Sequence, residues 1–173
     1  MKKAFLFFMP LLFMQQSIYT YSLPAANGGT INLNDYQGKK ILLVNTAINS
    51  EYANQYGSLQ DLYNAYHDSL VIIAVPSNSF GHEQETDSAL YDHLTATYDA
   101  DYLIAGVTDV AGDSIAPLYE WLTQKNGNGV MSHPVNNDFE KFLIDGSGKL
   151  IGVFSAGVDP MSDELREAVT GGD

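Results

Sequence analysis

Not one of the 173 residues is a cysteine. That absence excludes a disulfide framework and any thiol redox centre belonging to the chain itself. Positive charge is scarce as well. Eight Lys and Arg stand against 21 Asp and Glu, and Arg166 is the only arginine. Such a surface repels nucleic acid and anionic lipid headgroups and favours solubility. It also weighs against capture of an anionic small molecule, which asks for Lys or Arg. A long apolar run is missing too. The stretch Ala4 to Met14 falls short of the ~20 residues a spanning helix needs. Behind the basic head Met1-Lys2-Lys3 it reads as a secretory leader, expected over residues 1–17 with cleavage between Gln15 and Ser22. Without Lys2 and Lys3, six basic residues face 21 acidic ones, a net charge near −15.

What is present is a folded domain over residues 18–173. The chain is 45% hydrophobic and 12% aromatic, enough to build a core. No internal repeat or Pro/Gly-rich linker divides it. Asn27-Gly28-Gly29, between Tyr19-Thr20-Tyr21 and Thr30-Ile31-Asn32-Leu33, signals a hairpin near the N-terminus. Ile41 to Ala47 is a mostly continuous apolar run of strand length and so is Leu70 to Val75, as expected for strands buried on both faces. Between them Leu59, Leu62, Tyr63 and Tyr66 recur at helical spacing, giving a β-α-β unit with a right-handed crossover. A second helix is predicted over Asp87 to Tyr98, a short strand at Tyr102-Leu103-Ile104, and a short helix over Ile115 to Leu122. Phe139–Ile144 and Leu150–Phe154 flank the turn Asp145-Gly146-Ser147-Gly148 as a second hairpin. A last helix opens at Asp159-Pro160, with Ser162 as a cap. The order predicts an α/β domain of thioredoxin type: a central mixed sheet flanked by helices, preceded by a hairpin.

Several segments carry a family resemblance: Gly38 to Asn45; Gln55 to Tyr63; Val75-Pro76-Ser77-Asn78-Ser79-Phe80-Gly81; Ala116-Pro117-Leu118-Tyr119; and Phe139 to Asp145. In this order the chain resembles glutathione peroxidases from about Tyr19 to Val169. The resemblance implies a thioredoxin-like hydroperoxide reductase taking part in the response to oxidative stress. It implies a site of four side chains: a cysteine or selenocysteine nucleophile, a glutamine, a tryptophan and an asparagine. Carried over position by position, these become Ser50, Ser79, Asn137 and Asp138. All four differ. The loop glutamine varies within the family, so Ser79 alone signifies little; the other three exchanges together signify more.

A peroxidatic thiol works by losing its proton near neutral pH and passing through a sulfenic acid. A serine hydroxyl is far less acidic and has no comparable oxidation step. Asp138 would add a carboxylate where the family has a neutral donor, which raises the cost of a second anion nearby. The expectation is therefore a binding or interaction module, its partner a small molecule or protein at the former peroxide cleft. The alternative is an altered, non-thiol activity at Ser50 with Asn137, Asp138 and either His82 or His133. Acyl transfer at Ser50 would need a general base and an oxyanion hole, and Asn49-Ser50-Glu51 is not a nucleophile elbow. A metal held by His82, Glu83, Glu85, His133 and Asp138 is conceivable, but ligand spacing is missing and solvated loop polarity explains these residues better. No cofactor and no metal is expected. Trp121 reads as packing, and His133-Pro134 is left open between cis and trans.

Overall fold

The computed structural model describes residues 16–171; the expected leader lies outside them, save for Gln16 and Ser17. A five-stranded sheet organises the domain, in the order β5-β4-β3-β6-β7. Its strands are β3 (Lys40–Thr46), β4 (Leu70–Pro76), β5 (Leu103–Ile104), β6 (Lys141–Ile144) and β7 (Leu150–Phe154). The central strand β3 runs parallel to β4, with Ile41 opposite Val71 and Val44 opposite Ala74, and antiparallel to β6, with Leu43 opposite Phe142. The sheet is mixed for a topological reason. Helix α1 (Gln55–Tyr66) provides the crossover that a parallel pair needs, whereas a tight turn joins β6 to β7.

The apolar runs are continuous because both faces of the sheet are covered. Alternate side chains of β3 feed different cores. Ile41 and Leu43 join Ile73, Val75, Phe142 and Ile144 beneath helix α3 (Pro117–Thr123) and the N-terminal hairpin. Leu42 and Val44 join Ile72, Ala74 and Leu143 beneath α1, helix α2 (Asp87–Tyr98) and helix α5 (Asp163–Thr170). Each residue named here from the strands is at most 8% exposed, so either face turned to water would cost a whole core.

Several boundaries differ from expectation. The hairpin strands are β1 (Ser22–Pro24) and β2 (Thr30–Asn32), while Ile18–Thr20 forms a 3-10 turn capped by Ser17. Gly28 and Gly29 both take positive φ in the connecting turn, as the sequence implied. Helix α3 starts at Pro117, placed at the N-terminus where its missing N–H costs nothing. A four-residue helix, α4 (Lys125–Asn128), follows it unannounced. Asn128 holds it in place, its amide nitrogen donating to the carbonyls of Trp121, Leu122 and Met131. Strand β6 begins two residues late: Phe139 is left-handed at φ 62°, so Phe139 N–H and the Glu140 carbonyl both bond to Asn45 and the regular ladder starts only at Lys141. The last helix begins at Asp163, after Ser162 whose hydroxyl accepts from Leu165 N–H, leaving Asp159-Pro160 in the preceding turn. His133-Pro134 is trans.

Candidate functional site

The C-terminal ends of β3 and β4 lie side by side in a parallel pair, so the loops leaving them meet at one end of the sheet. One carries Ser50 and the other Ser79 and His82. The segment entering antiparallel β6 arrives at the same end with Asn137 and Asp138. Hydrogen bonds lock these three pieces together. Asn49 N–H donates to the His82 carbonyl at 3.1 Å, and Ile48 N–H donates to Glu83 Oε2 at 3.1 Å. Asn45 Nδ2 donates to the Asn137 carbonyl at 2.8 Å, and Phe139 N–H donates to the Asn45 carbonyl. The segments that carry the positions named by sequence thus meet at one end of the sheet.

What each residue does there is less uniform. Ser50 is 8% exposed in the turn after β3, its Oγ accepting from Tyr52 N–H at 3.3 Å. Among the described residues no histidine hydrogen-bonds to it, so no general base is in place on its hydroxyl. Ser79 is committed to structure: its Oγ accepts from Ser77 Oγ at 2.9 Å and from the N–H groups of Val110 and Ala111 at 3.1 and 3.3 Å. Asn137 turns its side-chain oxygen back onto Asp138 N–H at 2.9 Å.

Asp138 is the exception. Its side chain has no exposure, and its Oδ2 accepts from His82 Nδ1 at 2.6 Å. A carboxylate accepts only, so the imidazole carries its proton on Nδ1 and offers Nε2 as the other face. The His82 side chain is 48% exposed. The second carboxylate oxygen, Oδ1, is buried without a hydrogen-bond partner.

The remaining polar residues do not assemble a metal centre. Glu83, 1% exposed, spends both oxygens on backbone, Oε2 on Ile48 N–H and Oε1 on Glu85 N–H. His133 sits in a different pair, its Nε2 donating to Glu140 Oε2 at 2.9 Å while Glu140 Oε1 accepts from Asn136 N–H at 3.0 Å. Of the five residues considered as ligands, only His82 and Asp138 meet, and among the described residues no group of three His, Asp or Glu is placed to hold an ion. Trp121 packs at 4% exposure in the core under α3, its indole N–H donating to the Gln16 carbonyl, and takes no place in the cleft.

Sequence reasoning missed two buried charges. Glu140 lies in a segment where nothing periodic marks it. Lys141 occupies an inward position of β6 with no exposure, its Nζ donating to the Phe139 carbonyl at 2.7 Å. Burial pushes the Lys141 ammonium down to about 8, against the opposing pull of Asp159 and Glu140. The only available signal was a lone lysine inside an apolar strand pattern.

Comparison with known proteins agrees with the geometry. The sequence model of the family described as glutathione peroxidase matches residues 18–123. A probable phospholipid hydroperoxide glutathione peroxidase of Nicotiana sylvestris is 34% identical over 152 residues, covering 86% of this chain and 89% of its own length. A glutathione peroxidase of Lactococcus lactis is 30% identical over 155 residues, covering 87% and 98%. The crystal structure of Trgpx in its apo form superposes with a TM-score of 0.67 at 30% identity, covering 89% of this chain and 95% of that one. With the thioredoxin-like sheet, the matched segments and these relatives in agreement, the chain belongs to the glutathione peroxidase family.

Proposed function

We propose that this chain is an exported member of the family that no longer performs thiol peroxidation, and that it acts as a binding or interaction module through the former peroxide cleft. The observation that carries the reading is Ser50 at the nucleophile position of a chain without cysteine. A serine there offers neither a thiolate nor a sulfenic acid to a hydroperoxide. The surroundings support it: among the described residues no Lys or Arg side chain hydrogen-bonds to Ser50, Asn137 or Asp138, while Asp138 places a buried carboxylate, one oxygen of it unpaired, at the same end of the sheet. Export rests on the basic head and apolar run at the N-terminus, with the periplasm or the medium as destination.

The test is turnover of hydrogen peroxide and lipid hydroperoxide with thioredoxin or glutathione as reductant. The unmodified chain is expected to show none. Ser50→Cys alone is also expected to fail, and activity to return only when Asn137→Trp and Asp138→Asn accompany it. Turnover in the unmodified chain that vanishes in Ser50→Ala sinks the proposal.

One observation favours a second reading, a non-thiol activity. The Asp138–His82 bond at 2.6 Å holds a half-exposed imidazole by its Nδ1, an arrangement that can position a general base. The same bond also steadies a binding surface. A His82→Gln variant separates the two: loss of a measured turnover supports chemistry, loss of ligand binding alone supports the module.

A further inference from the structure

Residues assigned by sequence to the end of the leader are built into the folded body. The Gln16 carbonyl accepts from the indole N–H of Trp121 at 2.7 Å, and Gln16 Nε2 donates to Thr20 Oγ1 at 3.0 Å. Ser17 Oγ accepts from Tyr19 N–H at 3.3 Å, and the Ser17 carbonyl accepts from both Thr20 N–H and Thr20 Oγ1. Ile18 has no exposure and packs in the core with Trp121. Tyr19 reaches across to the β6–β7 turn, where its hydroxyl donates to the Gly146 carbonyl at 2.9 Å. The fit is close: a Cβ on Gly148 would stand 2.7 Å from the Tyr19 ring.

We infer that processing of the exported chain spares Gln16 and everything after it, so that any leader cleavage falls at or before the Gln15–Gln16 bond. This rests on the export reading. The step is hydrolysis of one peptide bond by a leader peptidase, with water supplying the hydroxyl to the acyl carbon and a proton to the released amine. Cleavage after Ser17, within the range expected from sequence, would remove the acceptor of the Trp121 indole and the cap of the first turn. It would also leave a new ammonium on Ile18, whose side chain is fully buried, and a charge there is costly. Cleavage further on, up to Ser22, would take Ile18 and Tyr19 with it. That would open a cavity beneath α3 and uncover the β6–β7 turn. Ser17 thus serves the fold as a cap and not the peptidase as a marker.

Two measurements decide the matter. Intact mass of the protein recovered from the exported fraction is expected to place the first residue at Gln16 or upstream; a first residue at Ser17 or later overturns the inference. A chain retaining Met1 and confined to the cytosol sinks the export reading instead, and the second measurement then stands alone. Chains beginning at Met1, Gln16 and Ile18 are compared by thermal melting and by the emission of Trp121, the one tryptophan present. The Met1 and Gln16 chains are expected to melt together. The Ile18 chain is expected to melt at least about 3 °C lower, the shift one lost hydrogen bond gives a domain of this size, with red-shifted emission. In Trp121→Phe the gap between the Gln16 and Ile18 chains narrows. Equal melting and equal emission for the Gln16 and Ile18 chains overturn the inference.

Discussion

Two imidazole–carboxylate pairs meet at the short stretch from His133 to Glu140, one lying wholly within it and one reaching it from a distant loop. His133 and Glu140 are seven residues apart, and both Glu140 oxygens are used, one by the imidazole and one by Asn136 N–H. His82 and Asp138 are 56 residues apart, join two loops, and leave Asp138 Oδ1 buried without a partner. The first pair is a closed staple that fixes how the chain enters β6. The second ties two loops together and leaves one buried carboxylate oxygen unpaired. Similar side chains therefore differ in how much they hold the fold by how completely their lone pairs are spent.

The largest effect is expected where the pair is closed. Glu140→Ala strands the His133 imidazole and Asn136 N–H and should cost about 3 kcal/mol in urea unfolding. A cost below about 1 kcal/mol would show that the staple is not structural and would erase the contrast. Lys141, the neighbour of Glu140, gives the next test. Its ammonium is pushed down to about 8 by burial, whereas in the unfolded chain it keeps the ordinary value of 10.5. Between those values the unfolded chain holds more protons than the folded one, so this group makes stability rise with pH over that window. The penalty of the buried charge is complete below about 8 and relieved above it. Lys141→Met should lose that alkaline rise when unfolding is followed from pH 7 to 10; an unchanged slope would place the lysine in water.

Ser79→Ala should cost about 1–2 kcal/mol by leaving the Val110 and Ala111 amides without their acceptor. Denaturant midpoints check this, and a neutral result would return Ser79 to the cleft as a free hydroxyl. The smallest effect belongs to the open pair. Asp138→Asn removes an incompletely paired carboxylate and should change stability by less than about 1 kcal/mol in either direction. A loss as large as that of Glu140→Ala would make the two pairs alike and end the comparison.

The scaffold could be read from sequence because periodicity and turn chemistry act locally. The runs Ile41 to Ala47 and Leu70 to Val75 became β3 and β4 through burial on both faces, and Leu90 and Leu94 became the buried stripe of α2. The four site positions followed from the family resemblance, and the fold brings their segments together. Partnerships were not legible. Asp138 meets His82 rather than His133 because of which loops the parallel pair β3–β4 brings together, a fact of tertiary structure. The late start of β6 was hidden for another reason: no local pattern announces a phenylalanine at positive φ. Helix α4 is short, and side-chain bonds from a single asparagine define it in place of an apolar stripe.

That left-handed Phe139 sets two neighbours back to back. Asp138 reaches His82 on one side, and on the other the Phe139 ring meets Tyr56 of α1 edge-on at a centroid distance of 5.0 Å. The backbone between them is pinned by Phe139 N–H on the Asn45 carbonyl and by Lys141 Nζ on the Phe139 carbonyl. Cleft wall and core wall are thus two sides of a single partition. Side chains on its outer side can change without moving the inner side, which holds the partition still. A fold with this joint lets the chemistry of one face vary while the packing behind it stays in place.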